Sequence, residues 1–240
     1  AGAVPDLDRH CQRLIRSAEV MGLKSPLGAD KIIALSREGI AKFPSDAELY
    51  ICPMLYPTGG FITPDPTSTE FILHVGESPL PAPDGFSACV SSFRRPAPDM
   101  APTEAKASCL YPNVARGVNE ANAKGFDTGI TLDPLGNVAE FSYANLFMTL
   151  DGAVHTPAIN GTFLNGVTRQ RIIQLLKDDG VEVHERAIGP VELANADELF
   201  ATGNYAKVMP CIRYDERNLQ PGPIYNRARE LYFKFAETCR

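Results

Sequence analysis

Residues 76–85 read Gly-Glu-Ser-Pro-Leu-Pro-Ala-Pro-Asp-Gly. Pro79, Pro81 and Pro83 have no amide hydrogen and a fixed φ, so this stretch can be neither the interior of a helix nor a central strand. It reads as a semi-rigid spacer. It divides the 240-residue chain into a first domain, residues 1–80, and a larger second one, residues 81–240. On the first side, Leu14, Ala18 and Met21 fall on one helical face of residues 8–22, and a second helix is expected to end near Phe43. Residues 48–56 and 69–75 favour strands, the first confined to an edge or a bulge by Pro53.

On the far side of the spacer, residues 86–93 read as a strand and the next stretch is again proline-rich and irregular. A helix closed by Gly125 follows, and then two hairpin signals, residues 129–141 and 145–157. The second carries Asp151-Gly152 between apolar runs, a strong hairpin signal. In Phe163–Gly180, Gly166 permits a turn and Thr168 sits where an N-cap is expected. Val167, Ile172, Leu175 and Leu176 recur at helical spacing, and Gly180 is the stop. A strand, a short helix, a strand–turn–strand and a last helix over 224–239 complete the chain. Helices and strands mix without regular βαβ alternation, which is an α+β pattern rich in antiparallel sheet.

Composition narrows the function. The residues are 44% hydrophobic and 22% charged, enough apolar material for a buried core. A net charge of −6 gives no electrostatic reason to expect nucleic acid or an anionic membrane as partner. No apolar run approaches the roughly 18 residues of a membrane span. None of the six cysteines forms a CxxC pair, and isolated thiols suit a reducing, cytoplasmic setting. The four histidines are scattered, so no metal site is expected.

Four places can carry chemistry. Lys106 is flanked by Ala105, Ala107 and Ser108, small neighbours that leave room at its amine, with Tyr111 five residues on. Glu140 follows Val138 and Ala139 at a strand end, where a carboxylate must be exposed or partnered. The helix start near Val167 and Thr168 offers backbone N–H groups and a positive dipole end to an anion. Gly203 and Asn204 form a turn with backbone and side-chain donors. Each alone reads equally well as a solvated lysine, a paired surface carboxylate, an ordinary capped helix and an ordinary turn.

Taken in order, these stretches resemble the fold-type-IV pyridoxal-phosphate enzymes, most closely the branched-chain aminotransferases. The resemblance covers essentially the whole chain. It rests on Lys106–Tyr111, Gly136–Phe147, Leu164–Arg169, Val183–Arg186, Ala196–Phe200 and Gly203–Asn204. It implies a two-domain α+β fold and a homodimer that moves an amino group from an amino acid to a 2-oxo acid, with pyridoxal 5′-phosphate as cofactor. By the same resemblance Lys106 is the Schiff-base and proton-shuttling lysine, Glu140 pairs with the pyridine nitrogen, and Tyr111 bonds the ring's phenolic oxygen. Val167 and Thr168 hold the phosphate together with Gly203 and Asn204, while Tyr50, Asn204 and Tyr205 face the substrate.

Three departures qualify this. Asn204 stands where the family has threonine, and asparagine can still donate to phosphate. Cys52 stands where the family's Y-x-R-P has the arginine that recognises the distal carboxylate of glutamate. The family also carries several dozen residues, with a phosphate-binding arginine, before the position of Ala1, so the N-terminal part of the small domain is expected to be missing here. The alternatives are a D-amino-acid or (R)-amine transaminase and an aminodeoxychorismate lyase-like enzyme. A non-catalytic binder of a phosphate compound would need none of Lys106, Tyr111 and Glu140.

Overall fold

The computed structural model describes residues 2–239. They fall into two compact units: Ala1–Leu80 with Glu104–Ala107 and Phe235–Arg240, and Pro81–Thr103 with Ser108–Lys234. The proline spacer thus opens the second unit. A single boundary at residue 80 does not describe the division, because the segment bearing Lys106 is grouped with the first unit.

In the first unit, helices α1 (Leu7–Val20) and α2 (Ala29–Ile40) lie against a two-stranded antiparallel ribbon, β1 (Leu49–Pro57) with β2 (Thr69–Glu77). Leu7, Cys11 and Ala18 are the buried apolar positions of α1, and Leu14 is packed beside them. Met21 caps the helix instead of belonging to it. α2 approaches β2 closely, since a β-carbon on Gly39 would sit 3.0 Å from a Val75 methyl. A ribbon of two strands has only edges, which is why Pro53, opposite Leu73, is tolerated in β1. Alternation leaves Tyr50, Met54, Tyr56 and Ile72 exposed on the face turned away from the helices.

The second unit is built on a nine-stranded sheet in the order β5-β4-β3-β10-β9-β6-β7-β8, with β11 (Arg217–Asn218) beside β10. Its strands are β3 (Phe86–Arg94), β4 (Thr128–Leu132), β5 (Val138–Phe141), β6 (Asn145–Leu150), β7 (Ala153–Pro157), β8 (Val183–Arg186), β9 (Glu198–Gly203) and β10 (Lys207–Tyr214). The β6–β7 hairpin turns on Asp151 and Gly152 at φ 52° and 80°, the left-handed pair that such a two-residue turn needs. Three pairs run parallel, β3–β4, β3–β10 and β7–β8. Parallel neighbours in sequence require crossovers. α3 (Tyr111–Ala123) supplies one between β3 and β4, and α4 (Val167–Asp178) supplies the other between β7 and β8. The regular βαβ units missing from the sequence pattern are therefore present twice. Long irregular stretches before each helix hide them.

Central strands are buried on both faces. Leu146, Met148, Leu199, Ala201 and Cys211 meet Ile130, Phe141, Ile188 and Leu193 on one side. Phe147, Phe200 and Val208 face Ile172 and Leu176 of α4 and Tyr225, Ala228 and Tyr232 of α6 (Pro223–Glu237) on the other. α5 (Pro190–Leu193) is a single turn whose Gly189 amide is bonded by Glu192 at 2.7 Å. Leu176 is fully buried between α4 and the sheet. Leu176→Ala should lower the unfolding free energy by about 3 kcal/mol, through lost burial plus the cavity left behind, read as a lower urea midpoint with the native far-ultraviolet spectrum retained.

Candidate active site

The start of α4 follows the carboxyl end of β7. Its N-cap is Gly166, extended at φ −59° and ψ 139°. A β-carbon at Gly166 would collide with the Asn145 side-chain oxygen, so a larger residue would have to displace that carboxamide and its bonds. This corrects the placement of Thr168 as N-cap: Thr168 is the second helical residue, and it is buried. No side chain caps the helix and no acidic residue lies in its first turn. The backbone donors and the positive dipole end there are suited to an external anion. Arg169, 1% exposed, fixes this turn by donating to the Pro157 carbonyl at 2.8 Å, to Glu185 at 3.0 Å and to Asn165 at 3.1 Å.

Asn145 ties the site together. Its Nδ2 donates to Glu140 Oε2 at 3.3 Å and to the Leu164 carbonyl at 2.9 Å, while its Oδ1 occupies the space beside Gly166. In register it lies opposite Thr202 of β9, whose buried hydroxyl has no partner among the described residues. Glu140, on β5 and 7% exposed, receives its countercharge from Arg95, whose Nε lies 3.4 Å from Oε1 and also donates to the Thr162 carbonyl at 3.0 Å. Burying an unpaired carboxylate is costly, and this pairing is what makes burial of Glu140 tolerable. Arg95 is positioned in turn by its own amide, bonded to the Leu132 carbonyl at 2.8 Å. Behind it Asp133 gathers the Asn137 amide at 2.8 Å and the Asn160 side chain at 2.9 Å, and Asn160 holds Thr162 at 2.7 Å.

The second unit therefore brings together Glu140, the Val167–Thr168 helix start and, through the Asn145–Thr202 register, the end of β9 at Gly203. Tyr111 opens α3 and is half-exposed, and Tyr205 is exposed in the turn after Asn204. Lys106 and Tyr50 belong to the first unit. There Lys106 is exposed, and its backbone amide donates to the Ser17 hydroxyl at 3.0 Å. Tyr50 stands on the exposed face of β1. Sequence reasoning missed Arg95 and the structural part played by Asn145. The Arg94-Arg95-Pro96 run and the asparagine five residues after Glu140 were the available signals. His155 and His184, far apart in sequence, stack at 5.1 Å across β7 and β8. Among the described residues no group of three or more His, Cys, Asp and Glu could hold a metal ion.

The sequence pattern of the amino-transferase class IV family matches residues 1–214. The chain belongs to the class IV aminotransferases. Within this class it falls in the branched-chain aminotransferase family. A probable branched-chain-amino-acid aminotransferase of Aquifex aeolicus is 34% identical over 233 residues, covering 93% of this chain and 75% of the relative. A crystal structure of a Brucella abortus aminotransferase bound to its cofactor PLP superposes with a TM-score of 0.95 at 48% identity, over 97% of this chain and 84% of that one. The branched-chain aminotransferase of Thermoproteus uzoniensis with norvaline gives 0.88 at 32% identity, over 96% and 79%. The donor set of this class IV aminotransferase fits a pyridoxal phosphate chemically: an uncapped helix start and an orphaned threonine hydroxyl for the phosphate, and a buried carboxylate for a ring N–H.

Asn145→Ala leaves Glu140 Oε2 and the Leu164 carbonyl without this donor. It should cost about 1–3 kcal/mol of stability by denaturant titration. Asn145→Asp should cost more, because it places a second carboxylate against Glu140.

Proposed function

We propose that this protein catalyses the pyridoxal-5′-phosphate-dependent transfer of an amino group from a branched-chain or other apolar amino acid to a 2-oxo acid, and that it works as a cytoplasmic homodimer. The observation that carries the reading is the buried Glu140, held by Arg95 and Asn145, with Asn145 also lining the uncapped start of α4. A phosphate binder needs the helix start but has no use for a buried, countercharged carboxylate next to it. When bound, the cofactor's protonated ring acts as an electron sink for the pair left at the substrate Cα.

Each residue then has a task. A carboxylate has about four acceptor positions, so Glu140 can take a ring N–H in addition to Arg95 and Asn145. The amides of Val167 and Thr168, with the Thr168 hydroxyl, hold the phosphate, and Gly203 and Asn204 close on it from the β9 end. Lys106 would hold the cofactor's aldehyde through its amine. In its neutral form the same amine would take up and return the proton at the substrate Cα. Tyr111 bonds the phenolic oxygen, and Tyr50 and Tyr205 line the substrate. All six thiols are free, as suits the cytoplasm, and no described helix is long and apolar enough to cross a membrane. The β1–β2 loop exposes Phe61 and Ile62 almost completely, an apolar tip that association with a second copy would cover.

Borohydride reduction of the cofactor-loaded protein should fix the cofactor's mass on the peptide containing Lys106; label on another lysine removes Lys106 from this role. Glu140→Gln should lower turnover by at least one to two powers of ten, the size of one charge-assisted hydrogen bond made only in the transition state. It should also lose stability, because Arg95 keeps its charge and loses its partner.

Cys52 shares the exposed face of β1 with Tyr50 and pairs in register with His74. No guanidinium stands at that position for a distal carboxylate, so glutamate should be a poorer donor than leucine or valine. Cys52→Arg should raise glutamate turnover selectively, by roughly tenfold for one new ion pair. A native preference for glutamate would defeat this assignment. The same departure favours a second reading, a D-amino-acid transaminase or a lyase; release of pyruvate without an amino acceptor identifies the lyase.

A further inference from the structure

The hairpin from β9 to β10 turns through Asn204, Tyr205 and Ala206, and Lys207 closes it opposite Gly203. Lys207 is left-handed, at φ 62°. That conformation disfavours any residue with a β-carbon, and glycine is its usual occupant. A lysine kept there calls for a reason in its side chain. Its Nζ lies 2.8 Å from Asn204 Oδ1. An ammonium is only a donor, so the Asn204 carboxamide must be held by its oxygen, and its NH2 group is left to face elsewhere. Burial pushes the Lys207 amine down to about 8. Tyr205 stands in the same turn, and Arg229 of α6 donates to the carbonyl of the next residue, Val208, at 2.9 Å.

We propose that Lys207 is a positioning residue for phosphate binding: it grips the Asn204 oxygen so that the amide NH2 is the group this turn presents to an anion. The inference rests on the reading above that Gly203 and Asn204 belong to the phosphate site. It explains why an asparagine can serve there. A hydroxyl rotates to donate on its own, whereas a carboxamide carries an acceptor and a donor on one plane. Turned the wrong way, it would set an oxygen against the phosphate. Lys207 removes that orientation.

The test measures pyridoxal 5′-phosphate affinity by equilibrium dialysis for the wild type, Lys207→Met, Lys207→Gly, Asn204→Thr and the Asn204→Thr/Lys207→Met pair. Lys207→Met should weaken binding roughly tenfold, the effect of one misdirected charge-assisted hydrogen bond. Lys207→Gly suits the left-handed backbone, so it should be at least as stable as the wild type and yet bind as weakly as Lys207→Met. In the Asn204→Thr background the Lys207→Met change should matter less than twofold. Wild-type affinity should also fall as pH rises through about 8, when the amine loses its proton, and this step should be absent from the Lys207 variants. Wild-type affinity in Lys207→Gly overturns the inference. So does an equal loss in both backgrounds, which would make Lys207 a charge acting on its own. Both leave the functional reading standing. A wild type that does not bind pyridoxal 5′-phosphate takes down the functional reading, and this inference with it.

Discussion

The second unit depends on one side chain reaching three places. Asn145 leaves β6 and uses its carboxamide to hold the Glu140 carboxylate, the Leu164 carbonyl and the space beside Gly166. The first contact joins it to the strand β5, the second to the loop after β7, and the third to the helix α4. Because Gly166 has no β-carbon, the helix can begin directly against that carboxamide. A capping residue with a side chain would have to push that carboxamide aside. An uncapped helix start buried beside a polar side chain is poor for stability and good for receiving an anion. The stability is recovered within the same first turn, where Arg169 bonds a backbone carbonyl, Asn165 and Glu185 with almost no exposed surface.

Glu140 shows the same trade between burial and use. A carboxylate among Val138, Ala139 and Phe141 is a conflict at the level of local sequence, since all of its neighbours are core residues. Arg95 resolves the conflict from the loop after β3, and Asp133, Asn160 and Thr162 hold the surroundings of Arg95. The pair contributes little net stability compared with apolar residues of the same size. Its retention makes sense if the carboxylate is needed for a ligand.

What could be read in the sequence was what lies close together along the chain. The Asp151–Gly152 turn, the periodicity of α4 and its Gly180 stop need only neighbouring residues, and so does the conflict at Glu140. Arg95 could not be found that way. Its partner lies across a helix and a strand, and the pairing exists only once β3, β4 and β5 are side by side. The cap at Gly166 was misassigned to Thr168 for the same reason: threonine is the better cap by local preference, and a long-range contact with Asn145 overrules it. The crossovers through α3 and α4 were hidden by the irregular segments ahead of them. The grouping of Glu104–Ala107 with the first unit cannot be seen from composition at all, since nothing marks four residues of a proline-rich stretch as foreign to their surroundings.

That grouping also sets how the chain is threaded. The backbone passes from the first unit to the second after Leu80, returns for Glu104–Ala107, leaves again at Ser108 and returns once more within α6 at Phe235. A protease that nicked the proline spacer would sever the chain there, yet the downstream fragment would still carry two segments of the first unit, and their non-covalent bonds, such as Lys106 N–H to the Ser17 hydroxyl and Val4 N–H to the Cys239 carbonyl, would resist release of the upstream fragment. The first unit is a set of excursions from the second, and it cannot be excised, transplanted or permuted as a single continuous cassette.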